Sequence, residues 1–428
     1  MKVILITLLV IICSAITGFT FSTTQTDKTQ QLNKQQVEQW RADIDFMQQE
    51  LERRHINLYH KVNAVFFKRE LTRIKEQLAS LTETGLAIEL MRLVKQVGDG
   101  HTQFAYWGSE HHRFPLELRL FGEDMRVIGI ARQHQQLLGA KLIAIEGIAI
   151  EKLRKLIEPI LQGVENIHSA QQRLVETITV AEILHGLKIS QSLGQATFTL
   201  QLPTGEEVNI NLASLPSEHL NNQVMDSLKK PLPANFKPSK VSIEGLDLQL
   251  GNNNQIAYLD FHHYPDFPAM QDFAEDLIEL LREKNTQEVI IDLRNNGGGD
   301  FFVGLQLAWA LIMVDNLNWR DGIYVLTGRK TFSAAMSNAV QYRQLLNARL
   351  VGEPTGANPV GYQDAGTFKL PHSGWTVMHS KRFYKFQETS TAGVQPDILV
   401  TLDWELFQQG RDNQLEWVLN DIRQRAKN

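Results

Sequence analysis

The sequence predicts an α+β multidomain chain with an N-terminal helical cap, a β-rich middle domain and a C-terminal α/β core. Three observations predict it. Val37, Trp40, Ile44, Met47 and Leu51 recur at helical spacing, so one apolar face runs along the first segment. From Phe114 to about Leu212 the pattern shifts to short alternating runs such as L-E-L-R-L-F and A-T-F-T-L-Q-L, which read as strands. After the Pro-bearing stretch Lys230–Ser239, strands and helices alternate, which argues for βαβ units and a largely parallel sheet.

The elements follow in order. Residues 1–22 begin with one lysine, then a dense apolar run Val3–Ile12, then small Ser14, Ala15 and Gly18. That order marks a secretory signal peptide, so the chain is expected to be exported, to a periplasm or outside the cell. Ile11 and Ile12 before Cys13 argue against lipidation, which wants small residues there. Membrane contact is expected only through this segment, if it is retained uncleaved. Residues 23–35 are polar and read as a linker. Residues 36–112 form the helical cap, with a second helix near Phe66–Leu78 and a third carrying Leu86, Leu90, Leu93, Val94 and Val97 to a stop at Gly98. Residues 113–235 are the β-rich domain, interrupted by a helical stretch from about Ile150 to Leu187. Residues 236–428 are the α/β core, with strands Q-I-A-Y-L-D-F, E-V-I-I-D-L, I-Y-V-L-T and R-L-V-G.

Composition removes several function classes. With 43% apolar and 21% charged residues the chain can bury a core, so extensive disorder is excluded. The net charge of −5 gives no reason to expect a nucleic-acid partner. Cys13 is the single cysteine, so no intramolecular disulfide and no cysteine zinc site can form. His111-His112 and His262-His263 are adjacent pairs that share no element face, and no His-Glu-x-x-His occurs, so neither metal nor other cofactor is expected.

In open α/β sheets ligands bind at the carboxyl ends of strands, which directs attention to three segments. Asp292-Leu293-Arg294-Asn295-Asn296-Gly297-Gly298-Gly299-Asp300 follows a strand, and its glycines let backbone N–H groups of Gly297 and Gly298 face an oxyanion. No Gly-Lys-Ser/Thr follows, so a phosphate loop fits less well. Ser333 stands at the start of a helix after I-Y-V-L-T. Its hydroxyl could cap that helix. It could also be a nucleophile, with the N–H of Ala334 as an oxyanion donor. Gly98-Asp99-Gly100-His101-Thr102, at the end of the helical cap, offers His101 as a general base or as an ordinary turn histidine.

Together these residues resemble the C-terminal processing peptidases and their tricorn-core and retinoid-binding relatives, from roughly Trp40 to Val400. Asp292–Gly299 is similar to that family's Asp-Leu-Arg-x-Asn-x-Gly-Gly, and Thr331–Ala335 to its nucleophile turn. Val351–Gly356 is similar to its next strand-loop, and Gly393–Ile398 to its Gly-Val-x-Pro-Asp segment. The resemblance implies a crossover core of the ClpP/crotonase kind and an exported serine peptidase acting on peptides or proteins through a Ser333 acyl-enzyme. One branch uses a lysine shortly after Gly-Glu-Pro-Thr. Here Gly356-Ala357-Asn358 stands there, so the resemblance points to the Ser–His branch, with His101 as base. That branch places a serine before the histidine, where this chain has Gly100. Its glutamate precedes the closing motif, which makes Glu388 the first candidate to orient His101, then Ser390, then Asp99. Leu138–Gly147 resembles a PDZ stretch, with Ala140 in place of its aspartate, so the middle domain is a PDZ domain or a family-specific β-rich one. Two other readings use the same fold: a non-catalytic ligand- or peptide-binding protein, and an esterase-type acyl hydrolase.

Overall fold

The computed structural model describes residues 28–220, 225–228 and 232–427. The expected signal segment 1–22 and the first part of the expected linker lie outside the described residues.

The first apolar stripe folds as expected. Helix α1 spans Lys34–Arg54 and buries Trp40, Ile44, Met47 and Leu51, with Asn33 closing a capping box onto Gln36. The end of the expected linker is instead docked: Leu32 is buried and donates its N–H to the Leu81 carbonyl. An apolar residue next to the N-cap had a cluster to cover. Helix α2 (Ala64–Gln77) and helix α3 (Glu83–Val94) complete this apolar cluster. After α3 a single tight turn, Lys95–Val97, ends on Gly98 at φ 84°, a left-handed stop that glycine adopts without strain.

The middle of the chain forms an antiparallel sheet. Its order is Met225–Ser227, Asp124–Ala131, Lys141–Ile145, Gln195–Gln201, Glu207–Ala213, with Leu116–Phe121 also paired to Asp124–Ala131. The helical stretch is three pieces: α4 (Ile150–Ile157), α5 (Ile167–Thr177) and α6 (Ala181–Gly186).

The C-terminal sheet has seven strands in the order Lys237–Pro238, Leu246–Gly251, Ile256–Phe261, Glu288–Asp292, Ile323–Thr327, Arg349–Gly352, Ile398–Leu399. The last five are mutually parallel. Helices α7 (Phe267–Glu283), α8 (Phe301–Ile312) and α9 (Ala334–Leu345) make the crossovers. Alternate strand residues face opposite ways. Val289, Ile291 and Val325 join the crossover helices in one apolar cluster, whereas Ile290, Tyr324 and Leu326 pack on the C-terminal helix Asn413–Arg425. A sheet buried on both faces explains why these strands are continuous apolar runs.

One feature departs from the expected layout. Strands Val360–Lys369 and Thr376–Lys385 form a hairpin that leaves the core and docks on the N-terminal helices. Phe368, Trp375 and Val377 share the apolar cluster of α1 to α3, and Gln103–Phe104 pairs with the hairpin edge. The N-terminal helices and the C-terminal segment are thus held in register beside the sheet's carboxyl ends.

A buried ion cluster closes that end of the sheet. Arg294 Nε donates to Asp292 at 2.9 Å and Nη1 to Asp412 at 2.8 Å. Burial pulls the Arg294 pKa down, but Asp292 and Asp412 outweigh it and hold it well above the usual value. Arg294→Met should therefore cost about 3–5 kcal/mol in urea unfolding, because two carboxylates lose their cation.

Asp260 lies directly across from Asp292 on the neighbouring parallel strand. Burial, then the Asp292 charge, push its pKa up to about 6. The folded chain binds this proton more tightly than the unfolded one, so its stabilisation is present below pH ~4 and is lost as pH rises through about 6. Asp260→Asn should raise the melting temperature at pH 7.5 and lose that advantage by pH ~4.

Candidate active site

Ser333 follows strand Ile323–Thr327 and stands at the N-cap of α9 with φ 49° and ψ −124°. That region is unfavourable for a residue with a Cβ and survives only where neighbours over-determine it. Here they do. Thr331 Oγ donates to the Leu293 carbonyl at 2.8 Å, the Phe332 N–H donates to the Asn296 carbonyl, and the Ala335 N–H donates to the Phe332 carbonyl. The Ser333 side chain makes no capping bond to the helix. The helix-cap reading therefore does not account for it.

The hydroxyl faces His101 instead. His101 Nε2 lies 2.9 Å from Ser333 Oγ, across the 232 positions between them. His101 is 3% exposed, and its ring stacks on Phe332 at 5.4 Å. Asp99 holds the loop beneath it. Its carboxylate accepts the N–H of His101 at 3.0 Å and of Thr102 at 2.8 Å, the hydroxyl of Ser380 at 2.6 Å and Nε2 of His55 at 3.0 Å. Burial pushes the Asp99 pKa up, but the bonds from His55 and Ser380 outweigh it and keep it below the usual carboxylate value. Asp99 pins the backbone of the loop, while the imidazole is served by another carboxylate.

That carboxylate is Glu165, a residue the sequence reading did not select. Its Oε1 lies 3.2 Å from His101 Nδ1, with both side chains about 95% buried. The approach is off the line of an ideal hydrogen bond, and neither atom has another partner among the described residues. Apo sites often show such loose contacts before substrate tightens them. The other oxygen, Oε2, accepts the backbone N–H of Asn358 at 2.7 Å.

Two expected roles are corrected. Glu388 is exposed, beyond the hairpin, and no hydrogen bond or ion pair joins it to His101 among the described residues; Ser390 is likewise exposed. Sequence proximity to the closing motif does not bring either to the ring. Gly298 does not offer an oxyanion donor, because its N–H is spent on Asn296 Oδ1 at 2.9 Å. Its requirement is space: at φ 107°, a Cβ on Gly298 would sit 2.6 Å from Ser333 Cβ. The N–H groups of Gly297 and Ala334 donate to no group among the described residues and remain available.

Gly100 now has a physical meaning. A Cβ there would lie 2.6 Å from Glu165 Cγ and 2.7 Å from Phe332 Cζ. The space beside the histidine is filled by a carboxylate, which reaches the ring directly.

Ser333 borders two cavities. The larger, about 960 Å³, also holds His101, Gly297 and Phe332; the smaller, about 340 Å³, holds Ala334, Phe301 and Tyr384. His55, His60 and Asp99 place three ligand-type atoms within 4.8 Å of one another. However, His55 Nδ1 accepts the Asn57 N–H while its Nε2 donates to Asp99, which leaves it no lone pair for a metal.

A serine oxygen, an imidazole and a carboxylate in series are the parts of an acyl-transfer site. Comparison with known proteins agrees on the class. Residues 255–316 match the sequence profile of peptidase family S41. No curated protein sequence matches the chain. Among solved structures, mature CPAF complexed with lactacystin is similar over 91% of this chain and 98% of its own, at 11% identity and a TM-score of 0.62. Mature CPAF in a second structure is similar over 87% and 94%, at 13% identity and a TM-score of 0.60. The photosystem II D1 C-terminal processing protease overlaps less well, with a TM-score of 0.41 at 16% identity over 86% of this chain and 94% of that one. The family expected from the four motifs is the one matched by residues 255–316, and serine-type peptidase is the enzyme class it defines.

Gly100→Ala should lower turnover about a hundredfold by displacing Glu165 and Phe332 around the ring, with a far smaller change in the denaturant midpoint. Stopped assays and urea melts on the same preparation check it.

Proposed function

We propose that this chain is an exported peptidase that cleaves peptide bonds by a Ser–His mechanism, with Glu165 as the third member. The 2.9 Å contact between His101 Nε2 and Ser333 Oγ carries the reading. His101 Nε2 removes the proton as Ser333 Oγ attacks the scissile carbonyl. The N–H groups of Ala334 and Gly297 receive the oxyanion. Glu165 beside Nδ1 fixes the tautomer and stabilises the imidazolium. His101 then gives its proton to the leaving amine, and a water, deprotonated by the same nitrogen, releases the acyl group and restores Ser333.

A lysine base has less support. Lys330 and Lys369, the lysines nearest in sequence, are both exposed. An esterase would share the site, and a passive binder would have no use for a strained serine against a buried histidine. We further read residues 36–112 as a helical cap carrying the His101 loop. Residues 113–235 are then a family-specific β-rich domain of PDZ-like type, and 236–428 the catalytic core. The seven-stranded antiparallel middle sheet and the crossover sheet support that division. Export rests on the charged-apolar-small order of residues 1–22. No helix among the described residues is long and apolar enough to cross a membrane.

Ser333→Ala should reduce hydrolysis of a quenched-fluorescence peptide by about a millionfold, and His101→Gln by a similar factor. Glu165→Gln should reduce it about ten-thousandfold, since a neutral amide can hold the wrong tautomer. Lys330→Met and Lys369→Met should keep most activity. If either lysine change removed turnover while His101→Gln did not, the assignment of the base would be wrong.

A further inference from the structure

Arg113, Arg119, Arg173, Arg294 and Arg329 line the larger cavity, and all but Arg119 are hydrogen-bonded to described residues. Strand Leu116–Phe121 contributes Leu116, Leu118 and Leu120 to the apolar cluster of the middle sheet. Glu117 and Arg119 alternate with them along the cavity wall. Arg294 stands in the same wall with its charge met by Asp292 and Asp412. Arg119 has no such partner. It makes no hydrogen bond or ion pair with any described residue, and its guanidinium only rests over the Phe407 ring at 5.6 Å. Burial pulls the Arg119 pKa down, opposed at longer range by Glu117, whereas that of Arg294 is raised. A half-buried cation that lines a cavity without a protein partner has its donors free for a ligand. Its planar fork of N–H donors matches a carboxylate.

The cavity also indicates which part of a substrate would arrive. His101 lines the larger cavity, and Ala334 lines the smaller one. The base returns its proton to the leaving amine, so the segment C-terminal to the cleaved bond lies on the His101 side.

We propose that Arg119 is a specificity residue: it pairs with a carboxylate carried by the substrate segment that leaves from the larger cavity. This rests on the peptidase reading above. The carboxylate can belong to an acidic side chain or to the chain terminus, and the two are separable.

The test uses Ser333→Ala, so that binding is read without turnover. Three fluorescein-labelled octapeptides of one sequence are compared by anisotropy. The first ends in three glutamates, the second has glutamines in their place, and the third is the glutamine peptide with an amidated terminus. The expected result is about tenfold tighter binding of the first over the third, as charge-assisted pairing gives. A second peptide that binds like the third assigns the site to acidic side chains; one that binds like the first assigns it to the terminus. Adding Arg119→Gln should reduce the tenfold preference to less than about twofold, and Arg119→Lys, which keeps the charge but not the fork, should leave an intermediate one. Equal binding of all three peptides, or a preference that survives both changes at Arg119, would overturn the proposal. Absence of hydrolysis by the unaltered chain would instead overturn the peptidase reading and leave the binding preference standing.

Discussion

The imidazole of His101 lies between Ser333 Oγ on one nitrogen and Glu165 Oε1 on the other, and holding it there is the constraint on which the arrangement depends. The three residues come from the end of the N-terminal helices, the loop before α5 and the start of α9. None of these segments is near another in sequence, so their register must come from packing. Asn358 joins them. Its N–H meets Glu165 Oε2, its side-chain amide donates to the Glu165 carbonyl at 3.1 Å, and its Oδ1 accepts Asn166 Nδ2 at 2.8 Å and the Gly393 N–H at 3.0 Å. The closing motif thus supports the carboxylate through Asn358, although it supplies no residue that touches the histidine. Such supporting bonds decide whether a site is held within a few tenths of an ångström of its working geometry.

Ser333 adds a second requirement. A serine at φ 49° stores strain of order 1–3 kcal/mol, which the surrounding bonds must hold in place. Asn296 is central to this. It accepts the Phe332 N–H on its carbonyl and the Gly298 N–H on its side chain, and it donates to the Phe261 carbonyl at 2.8 Å. The glycine loop and the serine turn are therefore one unit rather than two neighbouring features. This explains why the loop needs a glycine at 298 even though that residue's N–H is not directed at substrate.

Much of this was legible in the sequence, for physical reasons that differ by residue. The parallel strands were readable because burial on both faces leaves unbroken apolar runs. Ser333 and His101 stood out in the sequence because their chemistry is specific, and Gly100 beside the histidine marks a close approach. The hairpin 360–385 was not, because most of its strand residues are exposed or half-exposed and its alternation is weak. Glu165 was not readable either, since a lone glutamate before a helix looks like any solvated residue. The available signal was indirect. Gly100, standing where a serine was expected, marked a space that something else had to fill.

The identity of residue 358 bears on the choice of base as directly as the histidine does. The lysine of the related branch would fall in the segment Gly356–Asn358, so the question is whether a lysine could replace Asn358. Two donors, Asn166 Nδ2 and the Gly393 N–H, end on Asn358 Oδ1. An ammonium group has no acceptor to offer them. Both donors would then face a cation across a part-buried contact, and the Glu165 carboxylate would become the ammonium's natural partner. That pairing would draw Glu165 away from His101, weakening the imidazole as a base, and would hold the ammonium protonated, so that it could not take the proton of Ser333 either. A lysine at this point would thus dismantle the histidine arrangement without completing a Ser–Lys one. The asparagine, the glycine at 100 and the glutamate at 165 form a mutually dependent set, and each fits the proposed histidine base.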